Sequence, residues 1–488
     1  MKKVTVIGAG YSGMSAAAYL AKAGFAVDLI EKNSTLGGRG RQFSANGFHF
    51  DMGPSWYWMP EVFENFFNDF GYTTTDFYDL IRLDPSYRII FRDIDLDVPA
   101  SIDELYKLFE SIELGSSDKL KQFLKSAQYK YEVGMNEYVN KPGASFMEYF
   151  DMKVLKSVFK LNMFNSLSSE VRKLFKNEKL IQLLEFPVLF LGAPANRIPA
   201  LYSLMNYADL SLGTWYPKGG MIMIAKAMEK IIRSLGVNII LNSEIERVSI
   251  ENTRISKTYF NTKHLESDFV VCSADYHHFD QKILPTSYRS YSPKYWDSRE
   301  MAPSSLLFYL GLNKKLPFLE HHNLFFDADF GAHSDDIYIN SKWPSDPLFY
   351  VCCPSKFDPE VAPENFENLF ILIPLAAGIS DSSEMHDKLF DIICSRINSK
   401  YNCDIRNYIE YKRSFCVNDF KSEYNAFKGN AYGLSNTLLQ TGPLKPKLKS
   451  KKIRNLFYTG QLTTPGPGVP PSIISGKVVA GEIFKLNS

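Results

Sequence analysis

Three glycines near the start of the chain have the spacing that binds the phosphates of a dinucleotide. Gly8, Gly10 and Gly13 follow the apolar residues 4–7 and open an alanine-rich segment. The first glycine permits a tight turn, the second lets the backbone approach a pyrophosphate, and the third lets a helix pack closely on a strand. The phosphates then lie at a helix N-terminus, where free N–H groups favour anions. Glu31, which ends the next apolar segment, is expected to bind the adenosine ribose.

A glycine pair and an arginine follow this acid. The sequence at 36–41 is Leu-Gly-Gly-Arg-Gly-Arg, a pattern typical of FAD proteins rather than of simple NAD dehydrogenases. Arg39 has fixed guanidinium donors that can reach the pyrophosphate or the ribityl chain. Arg41 is open to a second interpretation as a plain surface charge.

Residues 50–56 form a further motif that ends in Gly-Pro-Ser-Trp. The small Ser55 would let backbone amides lie near a flavin ring, and Trp56 would adjoin it. The alternative is an ordinary turn followed by an ordinary core aromatic residue.

The other end of the chain carries a loop rich in glycine and proline. Residues 464–472 are Thr-Pro-Gly-Pro-Gly-Val-Pro-Pro-Ser, and they look like a loop that closes over a flavin. Two independent motifs at opposite ends therefore predict the same ligand, a single FAD. No His or Cys lies beside these motifs, so the FAD is expected to be noncovalent. Hydride or electron transfer is the chemistry that follows.

Composition excludes some classes of protein. A chain of 488 residues can hold more than one domain. Its formal net charge of +1 argues against nucleic acid as a bulk electrostatic partner. Aromatic residues make up 14% of the chain, and they could line a long apolar cavity or simply fill the core.

Cysteine and histidine patterns predict no metal site. None of the six cysteines forms a CxxC pair, which favours reduced thiols in a cytoplasmic protein. The pairs His277-His278 and His321-His322 lack a carboxylate at metal-ligand spacing and are interpreted as surface or capping histidines.

Any contact with a membrane is expected to be peripheral. No signal peptide is apparent, and no apolar run approaches the roughly 18 residues needed to cross a bilayer. The lysine-rich residues 445–454 are either a solvated loop or a patch attracted to anionic lipid. We expect residues 186–204 to reach the interface through Pro187, Phe190, Leu191 and Ile198.

The pattern of elements predicts an α/β fold. Strands at 4–7 and 26–30 flank a helix at 15–23, and the chain ends in a helix at 472–485. A Rossmann-like FAD-binding domain is expected to be discontinuous, formed by residues 1–100, 213–285 and 419–488. Residues 101–212 are predicted to form a helical region for substrate and membrane access. Residues 286–418 are predicted to form an inserted α+β substrate domain.

The chain resembles the bacterial carotenoid desaturases of the phytoene-desaturase type, within the amine-oxidase-like flavoproteins. The resemblance spans essentially the whole length. It includes the N-terminal glycines, residues 51–56, Trp-Tyr-Pro-Lys-Gly-Gly-Met at 215–221, Ala-Tyr-Gly-Leu at 431–434 and Pro-Gly-Pro-Gly-Val-Pro at 465–470. The last of these motifs is the most specific to the family.

The resemblance also implies further residues that bind FAD. Val248 would offer its backbone to the adenine, and Asp275 would lie near the adenosine half, although Ser273 stands where the family usually has Asn. Residues expected to contact the ribityl chain and ring are Leu434, Gly460, Pro467, Gly468, Val469, Pro470, Pro471 and Ser472.

The implied activity is FAD-dependent desaturation of a carotenoid, with flavin N5 as hydride acceptor and the catalytic residues unassigned. Phytoene-type desaturation and 3,4-desaturation of a 1-hydroxycarotenoid both remain open. A flavin amine oxidase and a non-enzymatic binding module of the GDP-dissociation-inhibitor type are the alternatives. The expected partners are a carotenoid, and quinone or oxygen as electron acceptor. The expected location is cytoplasmic, on the inner face of the cell membrane.

Overall fold

A computed structural model describes residues 1–149 and 165–487. Its strands up to residue 260 are β1 (Lys3–Ile7), β2 (Ala26–Ile30), β3 (Gln42–Ala45), β4 (Phe48–Asp51), β5 (Leu80–Arg82), β6 (Tyr87–Ile90), β7 (Asp95–Val98), β8 (Trp215–Pro217), β9 (Asn238–Ile240), β10 (Arg247–Glu251) and β11 (Arg254–Phe260). The later strands are β12 (Lys263–Glu266), β13 (Phe269–Cys272), β14 (Ser304–Leu312), β15 (His322–Phe325), β16 (Phe349–Cys352), β17 (Glu367–Leu375), β18 (Ile409–Phe415) and β19 (Leu456–Tyr458).

The helices of the described residues fall into two groups along the chain. The earlier ones are α1 (Tyr11–Lys22), α2 (Pro60–Asn68), α3 (Ile102–Ile112), α4 (Ser116–Val133), α5 (Leu167–Leu174), α6 (Glu178–Glu185), α7 (Leu204–Leu210) and α8 (Ile222–Ser234). The later ones are α9 (Tyr276–His278), α10 (Pro293–Asp297), α11 (Phe330–Tyr338), α12 (Ser383–Tyr401), α13 (Val417–Tyr424) and α14 (Val469–Lys485). None of these helices is both long enough and apolar enough to cross a bilayer.

A five-stranded parallel sheet joins the two ends of the chain. Its strand order is β19-β13-β1-β2-β9, so segments more than 400 residues apart lie in one sheet. Residues 4–7 of β1 are fully buried, as β-branched residues in a central parallel strand should be. Helix α1 packs against both α8 and α14 beside this sheet. The fold therefore brings the N-terminal glycines next to the C-terminal loop.

A mixed seven-stranded sheet forms the second layer, in the order β18-β14-β17-β16-β15-β6-β7. Its centre is the antiparallel pair β14–β17, in register from Ser304 opposite Leu375 to Leu312 opposite Glu367. Strands β6 and β7 belong here because β6 pairs in parallel with β15. The predicted boundary at residue 100 is therefore wrong for residues 87–98. Local sequence shows that a strand forms but not which sheet it joins.

Three of the four side chains through which residues 186–204 were predicted to reach the interface are buried, so the contact predicted through them is wrong. Pro187 is buried, and Leu191 and Ile198 are 9% and 0% exposed. The side chain of Phe190 lies outside the described part of the structure. The closely spaced prolines do break this segment into short helical turns, as the sequence indicated. Its apolar side chains supply the core between the helical region and the seven-stranded sheet.

Candidate cofactor and substrate site

One cavity of about 990 Å³ is lined by both end motifs. Gly8 and Arg39 lie on the side of the N-terminal motif, and Gly460 and Ser472 on the side of the C-terminal loop. The volume is at the upper end of the usual range for ligand sites. The cavity continues from this polar end past Trp56 to a loop at 438–444.

The three glycines have the geometry that the sequence predicted. Gly8 has a φ of +94°, and a Cβ there would lie 2.9 Å from Ala274 N. A Cβ on Gly13 would collide with the Gly8 carbonyl oxygen, so only glycine lets α1 pack this closely on the sheet. Gly10 is different, because the nearest atom to a Cβ there is Gly38 Cα at 4.0 Å. The Gly10 backbone faces open cavity, which leaves room for a pyrophosphate.

Glu31 is held in place at the wall of the cavity. Its Oε2 accepts a hydrogen bond from Ala9 N at 2.8 Å, and its Oε1 accepts one from Asn33 N at 2.9 Å. The side chain is 5% exposed, and it lines the cavity. Oε1 also accepts from Asn33 Nδ2 at 2.9 Å, whereas Oε2 keeps a further lone pair with which it can accept a bond from a ribose hydroxyl.

Arg39 is a partly buried cation with unused donor capacity. Its guanidinium lies 5.0 Å from the ring centre of Tyr424, and Nη2 is 3.4 Å from Asn430 O. Nε is buried and has no hydrogen-bond partner among the described residues. Burial lowers the Arg39 pKa, although a guanidinium keeps its charge in proteins. An orphaned cationic donor in the cavity wall fits a bound pyrophosphate.

Arg41 is not the surface charge that the sequence left open. It is 9% exposed, donates to Gly38 O and forms an ion pair with Glu423 at 2.6 Å. These contacts fasten the glycine-rich turn to α13.

The C-terminal loop ends in a helix that starts earlier than predicted. Helix α14 begins at Val469 rather than at 472, because Pro470 and Pro471 fit its first turn, where no N–H is required. Residues 467–472 all line the cavity. The positive dipole end of α14 therefore lies at the cavity wall.

Two residues implied by the resemblance lie elsewhere. Val248 is on β10, which turns away into a three-stranded sheet, and the chain meets the cavity earlier, at 243–245. Leu434 is fully buried among Tyr276, Trp296 and other aromatic residues and does not line the cavity. Ser55, Trp56 and Asp275 do line it. Hydrophobic periodicity and motif spacing do not indicate residues 243–245, because these residues form an irregular loop.

Charge divides the cavity into two ends. Its charged lining residues follow β2, β9 or β13 or belong to α13: Glu31, Lys32, Arg39, Glu244, Asp275 and Glu423. The other end is walled by apolar and aromatic side chains, among them Trp56, Met135, Leu191, Tyr202, Met205 and Leu439. Among the described lining residues, this second end contains no Asp, Glu, Lys or Arg. It therefore suits a hydrocarbon and excludes water from the adjoining site.

The buried histidines correct another expectation. His321 and His322 are 1% and 0% exposed, so they are neither surface nor capping residues. His322 stacks on Trp56 with ring centres 4.0 Å apart, and its Nδ1 lies 2.6 Å from the Tyr350 hydroxyl. The sequence did not indicate this burial, because His321 and His322 are two adjacent polar residues.

The lysine-rich segment is only partly a surface. Lys445 is 2% exposed, and its Nζ has no hydrogen-bond partner among the described residues. Lys447 donates to the carbonyl oxygens of Gly143 and Pro443, whereas Lys449 and Lys451 are exposed. Neither interpretation of the segment holds for Lys445.

Comparisons with known proteins agree with these features. The family model of flavin-containing amine oxidoreductases matches residues 11–484. The chain is 40% identical to a carotenoid 3,4-desaturase of Haloarcula japonica, over 99% of this chain and 98% of that protein. It is 31% identical to a zeta-carotene-forming phytoene desaturase of Myxococcus xanthus, over 99% and 94%. The fold is similar to cyclohexylamine oxidase of Brevibacterium oxydans, with a TM-score of 0.59 at 14% identity, covering 100% and 99%.

Proposed function

This chain belongs to the carotenoid desaturases of the flavin-containing amine oxidoreductase family, and we propose that it introduces the 3,4 double bond into a 1-hydroxycarotenoid. It is an FAD-dependent oxidoreductase that acts on CH–CH bonds. The observation that supports this function is the continuous cavity, charged where it meets the dinucleotide motifs and apolar beyond Trp56.

The residues of the chain would bind FAD, orient the substrate and exclude water. Gly8 forms the turn, with its N–H bonded to Ile30 O, so Gly10 and the start of α1 would present backbone N–H groups to the phosphates. Arg39 would add a cation, and Glu31 would hold the ribose. Bound oxidised FAD supplies a hydride acceptor at N5. Neither C–H bond of the substrate is acidic, so a protein base alone cannot begin the reaction. After the hydride has left, a base or a water molecule takes the proton from the neighbouring carbon. The aromatic walls hold the polyene and keep bulk water from the cation formed on it.

Two observations favour 3,4-desaturation over the phytoene type. Identity is 40% to a carotenoid 3,4-desaturase against 31% to the Myxococcus phytoene desaturase. In addition, the hydroxyls of Ser55 and Tyr350 line the cavity beside the predicted flavin loop. A substrate hydroxyl at C1 lies close to C3 and C4, and this pair of hydroxyls could bind it.

The distinguishing experiment uses FAD-loaded protein with liposomes that contain a quinone and one carotenoid. We expect the 1-hydroxycarotenoid to gain one conjugated double bond, seen as a new chromatographic peak with a red-shifted absorption spectrum. We expect phytoene to remain unchanged. Conversion of phytoene alone would overturn the 3,4 assignment. Peroxide release from a polyamine in lipid-free buffer would instead favour an amine oxidase. Yellow protein that releases FAD on acid precipitation would argue against the non-enzymatic module.

The electron acceptor and the membrane contact complete this proposal. A carotenoid reaches the cavity from a bilayer, on the cytoplasmic side, and the reduced cofactor passes its electrons to a quinone or to oxygen. The cavity opens at Leu438, Leu439 and Leu444, which are 38%, 75% and 38% exposed. We place the peripheral membrane contact at these leucines, with Lys449 and Lys451 facing anionic headgroups. The electron acceptor is identified by comparing turnover without air but with quinone to turnover in air without quinone.

A further inference from the structure

Three buried side chains with metal-binding atoms meet behind the wall of the cavity. One ligand atom each from His321, His322 and Cys352 lies within 4.8 Å of the others. His322 and Cys352 are directly opposite one another on the antiparallel strands β15 and β16. All three are at most 2% exposed. The cluster is therefore held by a sheet rather than by a mobile loop.

The imidazoles of this cluster lack hydrogen-bond partners. Both ring nitrogens of His321 and Nε2 of His322 are buried without a partner in the part of the chain that the structure describes. A polar group left unpaired in the interior is destabilising. Three such atoms in two adjacent rings require a ligand that the protein itself does not supply.

The hydrogen bonds around His322 determine which nitrogen is free. Tyr350 donates its hydroxyl proton to Ser55 Oγ at 3.0 Å. His322 Nδ1 must then be the donor toward the Tyr350 oxygen, 2.6 Å away. Nε2 consequently carries a lone pair, and it has no hydrogen-bond partner among the described residues. Histidines that bind metals are oriented in this way, with one nitrogen donating to a neighbour and the other binding the ion.

We propose that His321, His322 and Cys352 bind one d10 transition-metal cation, Zn²⁺ or Cu⁺. Imidazole and thiolate together are the ligands that these ions prefer. A tetrahedral zinc ion separates its ligand atoms by roughly 3.3–3.6 Å, so small side-chain rotations close the site. On binding, the Cys352 S–H bond breaks, a metal–sulfur bond forms, and the proton leaves to solvent. No atom changes oxidation state.

Charge distinguishes the two ions. Cu⁺ with one thiolate and two neutral imidazoles is electrically neutral, which suits a buried site. Zn²⁺ leaves one positive charge, and the Asp51 carboxyl is at hand, since it lines the same cavity of about 20 Å³ as His321 and Cys352. A single water molecule would also fit this space, and it is the competing occupant.

Such an ion would have a positioning role. His322 stacks on Trp56, and Tyr350 bonds to Ser55, and both partners line the large cavity. Fixing His322 therefore fixes two residues of the substrate wall. The ion would not touch substrate, because the cluster lies behind these side chains.

Metal content of the FAD-loaded protein tests the proposal directly. After treatment with a chelator, the protein is titrated separately with Zn²⁺, with Co²⁺ and, anaerobically, with a Cu⁺–acetonitrile complex. We expect one ion per chain by elemental analysis, release of one proton on zinc binding, and a higher Tm with metal. Co²⁺ should give a thiolate charge-transfer band, which identifies the cysteine ligand even without a variant.

Variants then locate the ion. Cys352→Ser and His321→Gln should each weaken binding at least tenfold while FAD is retained. Cys353→Ser is the matched control, since the Cys353 thiol donates to Glu367 instead. His386→Gln is a second control, because His386 belongs to a separate cluster and is already bonded to Asp381. Both controls should keep the ion. Fully flavinated wild type that binds none of the three metals would overturn the proposal and leave water as the occupant.

These outcomes are independent of the desaturase assignment. Metal binding is measured without substrate, so failure to desaturate a 1-hydroxycarotenoid would leave the site intact. Loss of the site would equally leave the desaturase function standing.

Discussion

Tyr350 donates a hydrogen bond to Ser55 Oγ at 3.0 Å, and this bond joins the two layers of the molecule. Tyr350 lies on β16 in the seven-stranded sheet, and Ser55 belongs to the loop after β4 that is predicted to lie against the flavin ring. The two hydroxyls line the cavity where its polar and apolar ends meet. The substrate wall and the cofactor loop are thus coupled through one pair of side chains.

Replacing Tyr350 by Phe should lower turnover several-fold without unloading FAD. The substitution leaves Ser55 Oγ and His322 Nδ1 without this partner, and each unpaired buried group costs about 1–3 kcal/mol. Initial rates in liposomes and the flavin absorbance of the same sample measure the two effects. Tyr309→Phe is the matched control, because its hydroxyl bonds to Met52 O in the same sheet and Tyr309 does not line the cavity. Equal losses in both variants would contradict a specific role for Tyr350.

Replacing Gly10 by Val should remove FAD while leaving the protein folded. Gly10 has a φ of −74°, so a valine adds no backbone strain, and its side chain would project into space where the phosphates bind. We expect FAD affinity to fall at least tenfold and the far-ultraviolet circular dichroism to stay unchanged. Gly13→Ala should behave differently and destabilise the fold, because its Cβ would collide with the Gly8 carbonyl. A yellow, fully loaded Gly10→Val protein would show that the pyrophosphate lies elsewhere.

Replacing Lys445 by Met should raise Tm at pH 7 by roughly 2–4 °C. Burial lowers the pKa of Lys445 to about 7, whereas the pKa of an unfolded lysine is about 10.4. Between these values the folded protein binds fewer protons than the unfolded chain, so the contribution of Lys445 to stability rises with pH from 7 to 10. The variant should therefore show a flatter dependence of Tm on pH over that range. The exposed Lys449→Met is the control, and an identical profile for both would refute the burial of Lys445.

Replacing Leu438 and Leu439 by Ser should release the protein from liposomes in a flotation assay. Each apolar side chain buried in the interface contributes roughly 1.5–3 kcal/mol, so losing two removes most of a reversible attachment. The flavin spectrum should not change, since both residues lie at the far mouth of the cavity. Ile339→Ser provides a matched control, because Ile339 is 72% exposed and does not line the cavity. Unchanged flotation in the double variant would place the membrane face elsewhere.

The N-terminal glycine motif was predicted from sequence because its chemistry is local. The roles of Gly8, Gly10 and Gly13 depend on a strand, a turn and a helix that are adjacent in the chain, and spacing alone specifies them. The same holds for Glu31, which follows the neighbouring strand. The family resemblance added the substrate class, which no spacing rule contains.

Other residues depended on contacts between distant parts of the chain. Strand β6 joins the seven-stranded sheet only because β15 lies beside it, some 230 residues later, and Lys445 is buried although Leu444 before it is exposed. His321 and His322 form a cluster with Cys352 only across a strand pair. Sequence fixes local conformation through periodicity and turn chemistry. Burial, strand partners and the course of the cavity are set by which distant surfaces pack together, and only the tertiary structure decided them.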